Sequence, residues 1–376
     1  MPLEYKYLSP EERRHFVEHG WLKIENAIAP RFLDEWMENL WVRLGMDPED
    51  KSTWTEEYIK LPRHREVRCE EFCPEAWNKI LEIVGGEDKL MDKRERWYGD
   101  QMIINLGKPE YVGKPRKGPE KCVGFHTDND WYRQFLDSSG NALTLIFCFT
   151  DIPEGGGGTV LCEDGLKPLL ERWYAHPEGI DPPFVNDTFE YCARGNKYAE
   201  VVAKRGDLYV THGMLPHSHS PNHLNYARVI TNPHVNLREP FNLNRADGDY
   251  TLCEQVILRG LGRESIPEYV PTRERLAFYP RTAWFKRERV TAELQRMIAD
   301  AEAKGGSAAD VDSIYLRGEE AIAEHEARNG YDKEIGPTGV VSSLNDDHHE
   351  KPAGKRHIVL RPEIPVIASA PATKVA

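Results

Sequence analysis

The stretch "FHTDNDWY" at residues 125–132 constrains this chain more than any other. His126, Asp128 and Asp130 stand two positions apart. Residues two apart on a strand share one face. Three ligand-type side chains on one face make either a metal site or a polar, solvent-facing segment. Taken alone, the stretch leaves both readings open, and both aspartates remain candidates for a ligand.

A distant segment narrows the choice. Five histidines fall within 23 residues: His212, His217, His219, His223 and His234. Any one of them alone reads as a structural residue. Two histidines and one carboxylate on one face of an octahedral ion leave three adjacent positions open, as in non-haem Fe(II) oxygenases. That openness lets a cosubstrate chelate through two atoms while O2 takes the third position. A 2-oxoglutarate cosubstrate also needs a cation for its far carboxylate, and the planar fork of arginine suits it best. Arg228 stands in "NYARVITN", where alternation puts Arg228, Ile230 and Asn232 on one face. An arginine among small and β-branched residues of a core strand calls for a buried anion; an ordinary ion pair is the competing reading.

Composition removes several classes. The chain of 376 residues carries 49 basic and 62 acidic residues, a net charge of -13, which disfavours nucleic acid as a partner. No apolar run approaches the length needed to span a bilayer. The start, "MPLEYKYLSPEERRHF", lacks a basic segment followed by an apolar run, so the expectation is a cytoplasmic protein. The seven cysteines are odd in number and widely spaced, with only Cys69 and Cys73 close, and they read as reduced thiols.

Periodicity gives the organisation. "SPEERRHFVEHG" has Ser9 at the N-cap, Pro10 in the first turn, Glu12 at the capping-box position and Gly20 as the stop. A strand follows, then a helix over 30–45 and another over 74–86. From about residue 97 the pattern is β-type: "WYGDQMIINL", "CVGFHTDNDW", "ALTLIFCFTDI", "GGGGTVLCEDG", "YAEVVAKRGDLYVTHG" and "NYARVITNPHVNL". The fifth reads as two strands joined by the turn "KRGD". Helices return after about residue 250, with "RERLAFY", "TAELQRMIADAEAKGG" and "GEEAIAEHEARNG" as the candidates. Short strands bracketed by helices argue a mainly β barrel or sandwich core with helical additions. The expected organisation is one domain over 1–250, a helical extension over 251–334 packing on it, and an extended tail over 335–376.

"FHTD", then "GDLYVTHGMLPHSHSPN", then "YARVITN" with Arg228 eleven positions after His217, resembles the phytanoyl-CoA dioxygenase-like group of Fe(II)/2-oxoglutarate oxygenases. "LSPEERRHFVEHGWLKIENAI" and "FTDIPEGGGGTVLCEDG" are similar to other parts of that family, so the resemblance runs from about residue 8 to 240. It implies a double-stranded β-helix of jelly-roll or cupin-like type. It implies His126, Asp128 and His217 as ligands of Fe(II), and Arg228 on the far carboxylate of 2-oxoglutarate. Met102, Asn105 and Phe149 are implied as further cosubstrate contacts. His219 stands where the family often carries a serine that touches the cosubstrate. Asp130 is then read as facing substrate or making bonds behind the metal, and Trp131, Tyr132 and Phe135 read either as a substrate wall or as ordinary packing at the barrel mouth.

The implied reaction is oxidation of an unactivated C–H bond of a small organic molecule, most simply hydroxylation, with release of succinate and CO2. Related halogenases lack the carboxylate ligand, so Asp128 disfavours halogenation. Two alternatives stay open: a cupin-type metalloenzyme using His217 and His219 without 2-oxoglutarate, and a non-catalytic binding protein of the same fold.

Overall fold

The computed structural model describes residues 3–91, 96–116, 118–128, 132–181, 188–275, 284–329 and 364. Asp130 and Trp131, most of "RERLAFY", and the expected tail apart from Ile364 lie outside the described residues.

The N-terminal helix forms as its sequence dictates. In α1 (Pro10–His19) the Ser9 hydroxyl accepts from the Glu12 N–H and the Glu12 carboxylate accepts from the Ser9 N–H. Gly20, at φ 75°, ends the helix in the left-handed region that glycine adopts without strain. β1 (Trp21–Ile24) follows. The single helix expected over 30–45 is two: α2 (Pro30–Glu35) and α3 (Leu40–Leu44). The break serves two different partners. Trp36 stacks on Phe72 and Phe149, whereas Arg43 turns to Asp100 and Glu293.

Next come β2 (Tyr58–Lys60), β3 (Glu66–Arg68), α4 (Cys69–Phe72) and α5 (Pro74–Val84). The strand expected in "WYGDQMIINL" is also broken, into β4 (Trp97–Gly99) and β5 (Ile103–Asn105). Asp100 causes the break: its buried carboxylate accepts the His64 and Arg65 N–H groups and pairs with Arg43. β6 (Leu143–Cys148), β7 (Thr159–Cys162), α6 (Leu166–Ala175), α7 (Thr188–Cys192) and β8 (Tyr198–Glu200) lead to β9 (Leu208–His212). β10 (His217–His219), β11 (Arg228–Thr231), β12 (His234–Val235) and α8 (Leu252–Leu261) complete the body.

Two antiparallel sheets carry the core. The larger runs β1-β9-β6-β11-β5-β2, with β12 also pairing with β6, and the smaller runs β10-β7-β8. A two-stranded pair, β3-β4, stands apart. Apolar residues of both large sheets and of α1, α2, α4, α5, α6 and α8 form one buried cluster. The strands on either side of "KRGD" are a correction to the hairpin reading: β8 pairs with β7 and β9 with β6 and β1. The turn forms, with the Asp207 carboxylate accepting the Lys204 N–H. Local turn chemistry reverses the chain without choosing its sheet.

Beyond the body lie α9 (Val290–Ala303) and α10 (Glu319–Asn329). Ion pairs with at least one buried partner fasten them to it. Glu293 of α9 binds Arg43 at 2.8 Å and His64 at 3.2 Å, all three fully buried. Glu66 binds His325 at 2.8 Å and Arg328 at 2.9 Å. The Ile314 N–H donates to the His64 carbonyl. Ile364 packs on the small apolar cluster of Val290, Leu294, Tyr315 and Ile322.

Candidate metal centre

Register determines which side chains share the inner face of the larger sheet. Directly opposed residues of antiparallel strands point the same way. Arg228 lies opposite Asn105, and Asn105 opposite Tyr58. One row on, Ile230 lies opposite both Cys148 and Ile103, and Ile103 opposite Lys60. By alternation Thr144 and Ile146 share the face of Cys148, and Thr144 lies opposite His234. Tyr58, Lys60, Asn105, Arg228, His234 and Thr144 therefore belong to one surface.

The smaller sheet extends toward that surface. His126 does not sit in a long strand; it makes a single bridge with His217, each N–H donating to the other's carbonyl at 2.9 Å. The two rings come to 4.6 Å between centroids. Asp128 follows on a bend rather than a strand. Its Oδ1 lies 3.6 Å from His126 Nε2 and its Oδ2 lies 3.5 Å from His217 Nε2. One ligand atom from each of His126, Asp128 and His217 lies within 4.8 Å of the other two, and this is the one such group of three among the described residues.

Both rings are set by their own backbone. His126 Nδ1 lies 2.8 Å from the Gly124 carbonyl and His217 Nδ1 lies 3.1 Å from the Leu215 carbonyl. A carbonyl only accepts, so each Nδ1 carries a hydrogen, and in the neutral ring each Nε2 presents its lone pair. That is the tautomer a metal ion needs.

Asp128 is held from the larger sheet. Thr144 Oγ1 donates to its Oδ2 at 3.4 Å, and His234 Nε2 lies 3.3 Å from the same oxygen. Asn141 Nδ2 donates to the Asp128 carbonyl. Burial pushes the carboxyl up, but the His217 charge and hydrogen bonds from His126, His217 and His234 hold it well below the usual carboxylate range. Burial likewise disfavours charge on His126, yet Asp128 outweighs it and raises the imidazole pKa. Three imidazoles around one carboxylate form a site whose protons a cation would displace.

Arg228 is the other unusual group. The residue is 0% exposed. Its Nη1 makes a long 3.4 Å bond to the Ile103 carbonyl, and Nε and Nη2 have no hydrogen-bond partner among the described residues. The Tyr58 ring lies 5.8 Å from its guanidinium carbon. A buried guanidinium with two idle donors lacks an anion. The donor set thus fits both a metal ion and a carboxylate ligand beside it.

The remaining expected residues divide. Asn105 lies beside Arg228, but its amide is engaged: Nδ2 donates to the Ser220 carbonyl and Oδ1 accepts the Gly107 N–H. The amide packs so closely that a Cβ on Gly157 would meet its Nδ2 at 2.7 Å. Met102 is buried and shares the parity of Ile104, away from Arg228, so the structure corrects its placement. Phe149 is a second correction: it stacks on Trp36 at 5.9 Å and lies 6.3 Å from Phe72, on the helical side of the sheet. Tyr132 and Phe135 are 1% and 0% exposed; Tyr132 packs on Gly140 and Phe135 beside Arg275 and Gly179. Asp130 and Trp131 are not described. His219 is exposed and tilts onto Tyr58 at 5.0 Å, outside the group of three. His212 is buried, its pKa lowered by burial to about 4, and its Nδ1 accepts the Met214 N–H. His223 bonds the Tyr111 carbonyl.

His234, counted in the sequence only among the clustered histidines, is the residue that sequence reasoning did not connect with Asp128. The signal was present: 228, 230, 232 and 234 share one parity. Pro233 hid it, because a proline interrupts a strand pattern.

No helix among the described residues is long and apolar enough to cross a membrane. No protein-family model matches the chain, and no curated protein matches it. Solved structures do. The non-haem α-ketoglutarate-dependent carbocyclase SnoK from nogalamycin biosynthesis is 14% identical, with 61% of this chain and 84% of SnoK covered at a TM-score of 0.30. HygX from Streptomyces hygroscopicus, solved with nickel, 2-oxoglutarate and hygromycin B, is 12% identical, with 60% and 86% covered and a TM-score of 0.33. GIG2 from Candida albicans is 12% identical, with 62% and 65% covered and a TM-score of 0.40.

Proposed function

We propose that this chain is an Fe(II)- and 2-oxoglutarate-dependent oxygenase of the phytanoyl-CoA dioxygenase-like type, with a double-stranded β-helix core, acting on a C–H bond of a small organic molecule. The observation that carries the reading is the presence of two features on the two core sheets. His126, Asp128 and His217 offer three ligand atoms within 4.8 Å of one another. Arg228, buried with two idle N–H donors, belongs to the facing sheet.

Each residue has a stated task. His126 and His217 offer Nε2 because Gly124 and Leu215 occupy Nδ1. Asp128 supplies the negative ligand, and Thr144 and His234 steady its second oxygen. Arg228 neutralises and orients the far carboxylate of 2-oxoglutarate through Nε and Nη2. The bound iron would supply activation of O2 coupled to decarboxylation of 2-oxoglutarate to succinate. Tyr58 packs beside Arg228 and screens it from water.

The test is succinate release from 2-oxoglutarate with Fe(II), ascorbate and O2 across a small-molecule panel, with Asp128→Ala as control. Release by the native chain that is lost in the variant supports the proposal. Equal release by both would sink it.

A further inference from the structure

Tyr58 meets both core sheets beside Arg228. On one side its ring centroid lies 5.8 Å from the guanidinium carbon of Arg228, two strands away in the larger sheet. On the other it lies 5.0 Å from the ring of His219. His219 belongs to β10 of the smaller sheet, two residues after His217 and so on the same face. Arg228 is fully buried, Tyr58 half-buried and His219 exposed. From core to solvent the order is therefore guanidinium, phenol ring, imidazole.

The strand that carries Tyr58 is short and stands at an edge. β2 has three residues, ends the larger sheet and pairs with β5 alone among the described strands. An edge strand leaves one row of backbone groups unpaired, so its position depends on what holds its ends. Lys108 of the body binds Glu57 at 3.0 Å. The C-terminal extension holds both ends. Before β2, Arg289 binds Glu56 at 2.8 Å. After it, Arg63 Nη1 donates to Asn329 Oδ1 at 2.9 Å. The His64 ring meets the Ser313 hydroxyl at 2.8 Å and the Glu293 carboxylate at 3.2 Å, all three residues fully buried. The Ile314 N–H donates to the His64 carbonyl at 2.8 Å. Glu66 then gathers Asn329, His325 and Arg328 of α10 at 2.7, 2.8 and 2.9 Å. Segments far apart in the extension thus converge on the two flanks of one three-residue strand.

We propose that the C-terminal extension tunes the cosubstrate end of the site: by gripping β2 on both flanks it holds the Tyr58 ring against His219 and over Arg228. Tyr58 is then a positioning residue, which keeps water from the guanidinium and from the carboxylate it binds. An ion pair shielded from water is stronger than the same pair in contact with it. An extension that lets go would loosen β2 and wet Arg228, weakening 2-oxoglutarate. His126, Asp128 and His217 belong to other segments and would keep their places. The inference rests on the oxygenase reading above.

The experiment uses the full chain loaded with Mn(II), titrated calorimetrically with 2-oxoglutarate, with hydrogen exchange followed over residues 56–63. The variants are Glu66→Gln, which loosens α10, Tyr58→Ala, and the two combined. Each single variant should weaken the 2-oxoglutarate Kd by about five- to twentyfold, and the double variant should stay within about twofold of Tyr58→Ala, because both act through one ring. Mn(II) affinity should stay within about twofold of native throughout, and Glu66→Gln should exchange faster at β2. Asn329→Ala removes the bonds to Arg63 and Glu66 more gently; it should weaken 2-oxoglutarate by about two- to fivefold, and it decides the matter if Glu66→Gln does not fold. Native 2-oxoglutarate affinity in Tyr58→Ala or in the α10 variants, unchanged exchange at β2, losses that multiply in the double variant, or a matching loss of Mn(II) affinity would overturn the proposal. Failure of the native chain to bind Mn(II) or 2-oxoglutarate would instead sink the oxygenase reading.

Discussion

Arg228→Met separates stability from function at the proposed cosubstrate site. Native Arg228 is 0% exposed, with Nε and Nη2 unpaired and one 3.4 Å bond from Nη1. Replacing a poorly compensated buried charge by an apolar side chain of similar length stabilises by about 1–4 kcal/mol. At roughly 2 °C per kcal/mol, that raises Tm of the ligand-free protein by about 2–8 °C. The same substitution removes the partner of the far carboxylate. Truncating a buried charged pair costs about 2–5 kcal/mol of binding, on the order of thirtyfold to several thousandfold in Kd. Thermal melts with Mn(II), with and without 2-oxoglutarate, read both effects. At 100 times Kd the native chain should gain about 2.7 kcal/mol from the ligand, and the variant almost nothing. A variant that melts below the native chain without ligand, yet keeps the full 2-oxoglutarate shift, would refute the reasoning. Arg228 would then have an intramolecular partner.

Three further outcomes follow from the geometry. His234→Ala removes one of the two larger-sheet contacts to Asp128 Oδ2 and should weaken Mn(II) affinity about 10–100-fold, with near-native circular dichroism; unchanged affinity would make His234 a bystander. Glu293→Ala leaves Arg43 and His64 buried without their shared carboxylate and should cost about 3–5 kcal/mol in urea unfolding; a loss under about 1 kcal/mol would contradict the buried clamp. Metal affinity should rise with pH: the His126 pKa is raised, so its proton competes with the ion below that pKa and is gone above it. Pulse-radiolabel or fluorescence titrations at successive pH values should show this slope, and a flat profile would remove His126 from the ligand set.

Much of the site was legible because it is written in local spacing. His126 and Asp128 stand two apart, and His217 and Arg228 eleven apart; the fold gathers His126, Asp128 and His217 into one group and buries Arg228 opposite Asn105 on the larger sheet. The capping box of Ser9 and Glu12 formed as its pattern required. What was illegible depends on partners distant in the chain. Asp100 broke a strand because it answers Arg43 and the His64 and Arg65 amides. β8 and β9 parted because sheet choice is a tertiary matter. Phe149 was placed at the cosubstrate, but β6 turns alternate residues to opposite faces, and Trp36 and Phe72 wait on the other. The capping box of Thr251 and Glu254 that opens α8 was readable by the rule that found α1, and was passed over.

The most direct measurement is anaerobic titration of the full chain with Fe(II) and then 2-oxoglutarate, following the visible charge-transfer absorption that a bidentate 2-oxo acid gives on iron. The account predicts a band that saturates at one iron and one 2-oxoglutarate per chain, that is absent in Asp128→Ala, and that needs far more 2-oxoglutarate in Arg228→Met. A native chain that binds Fe(II) but gives no band, or a band of equal 2-oxoglutarate dependence in Arg228→Met, would contradict it.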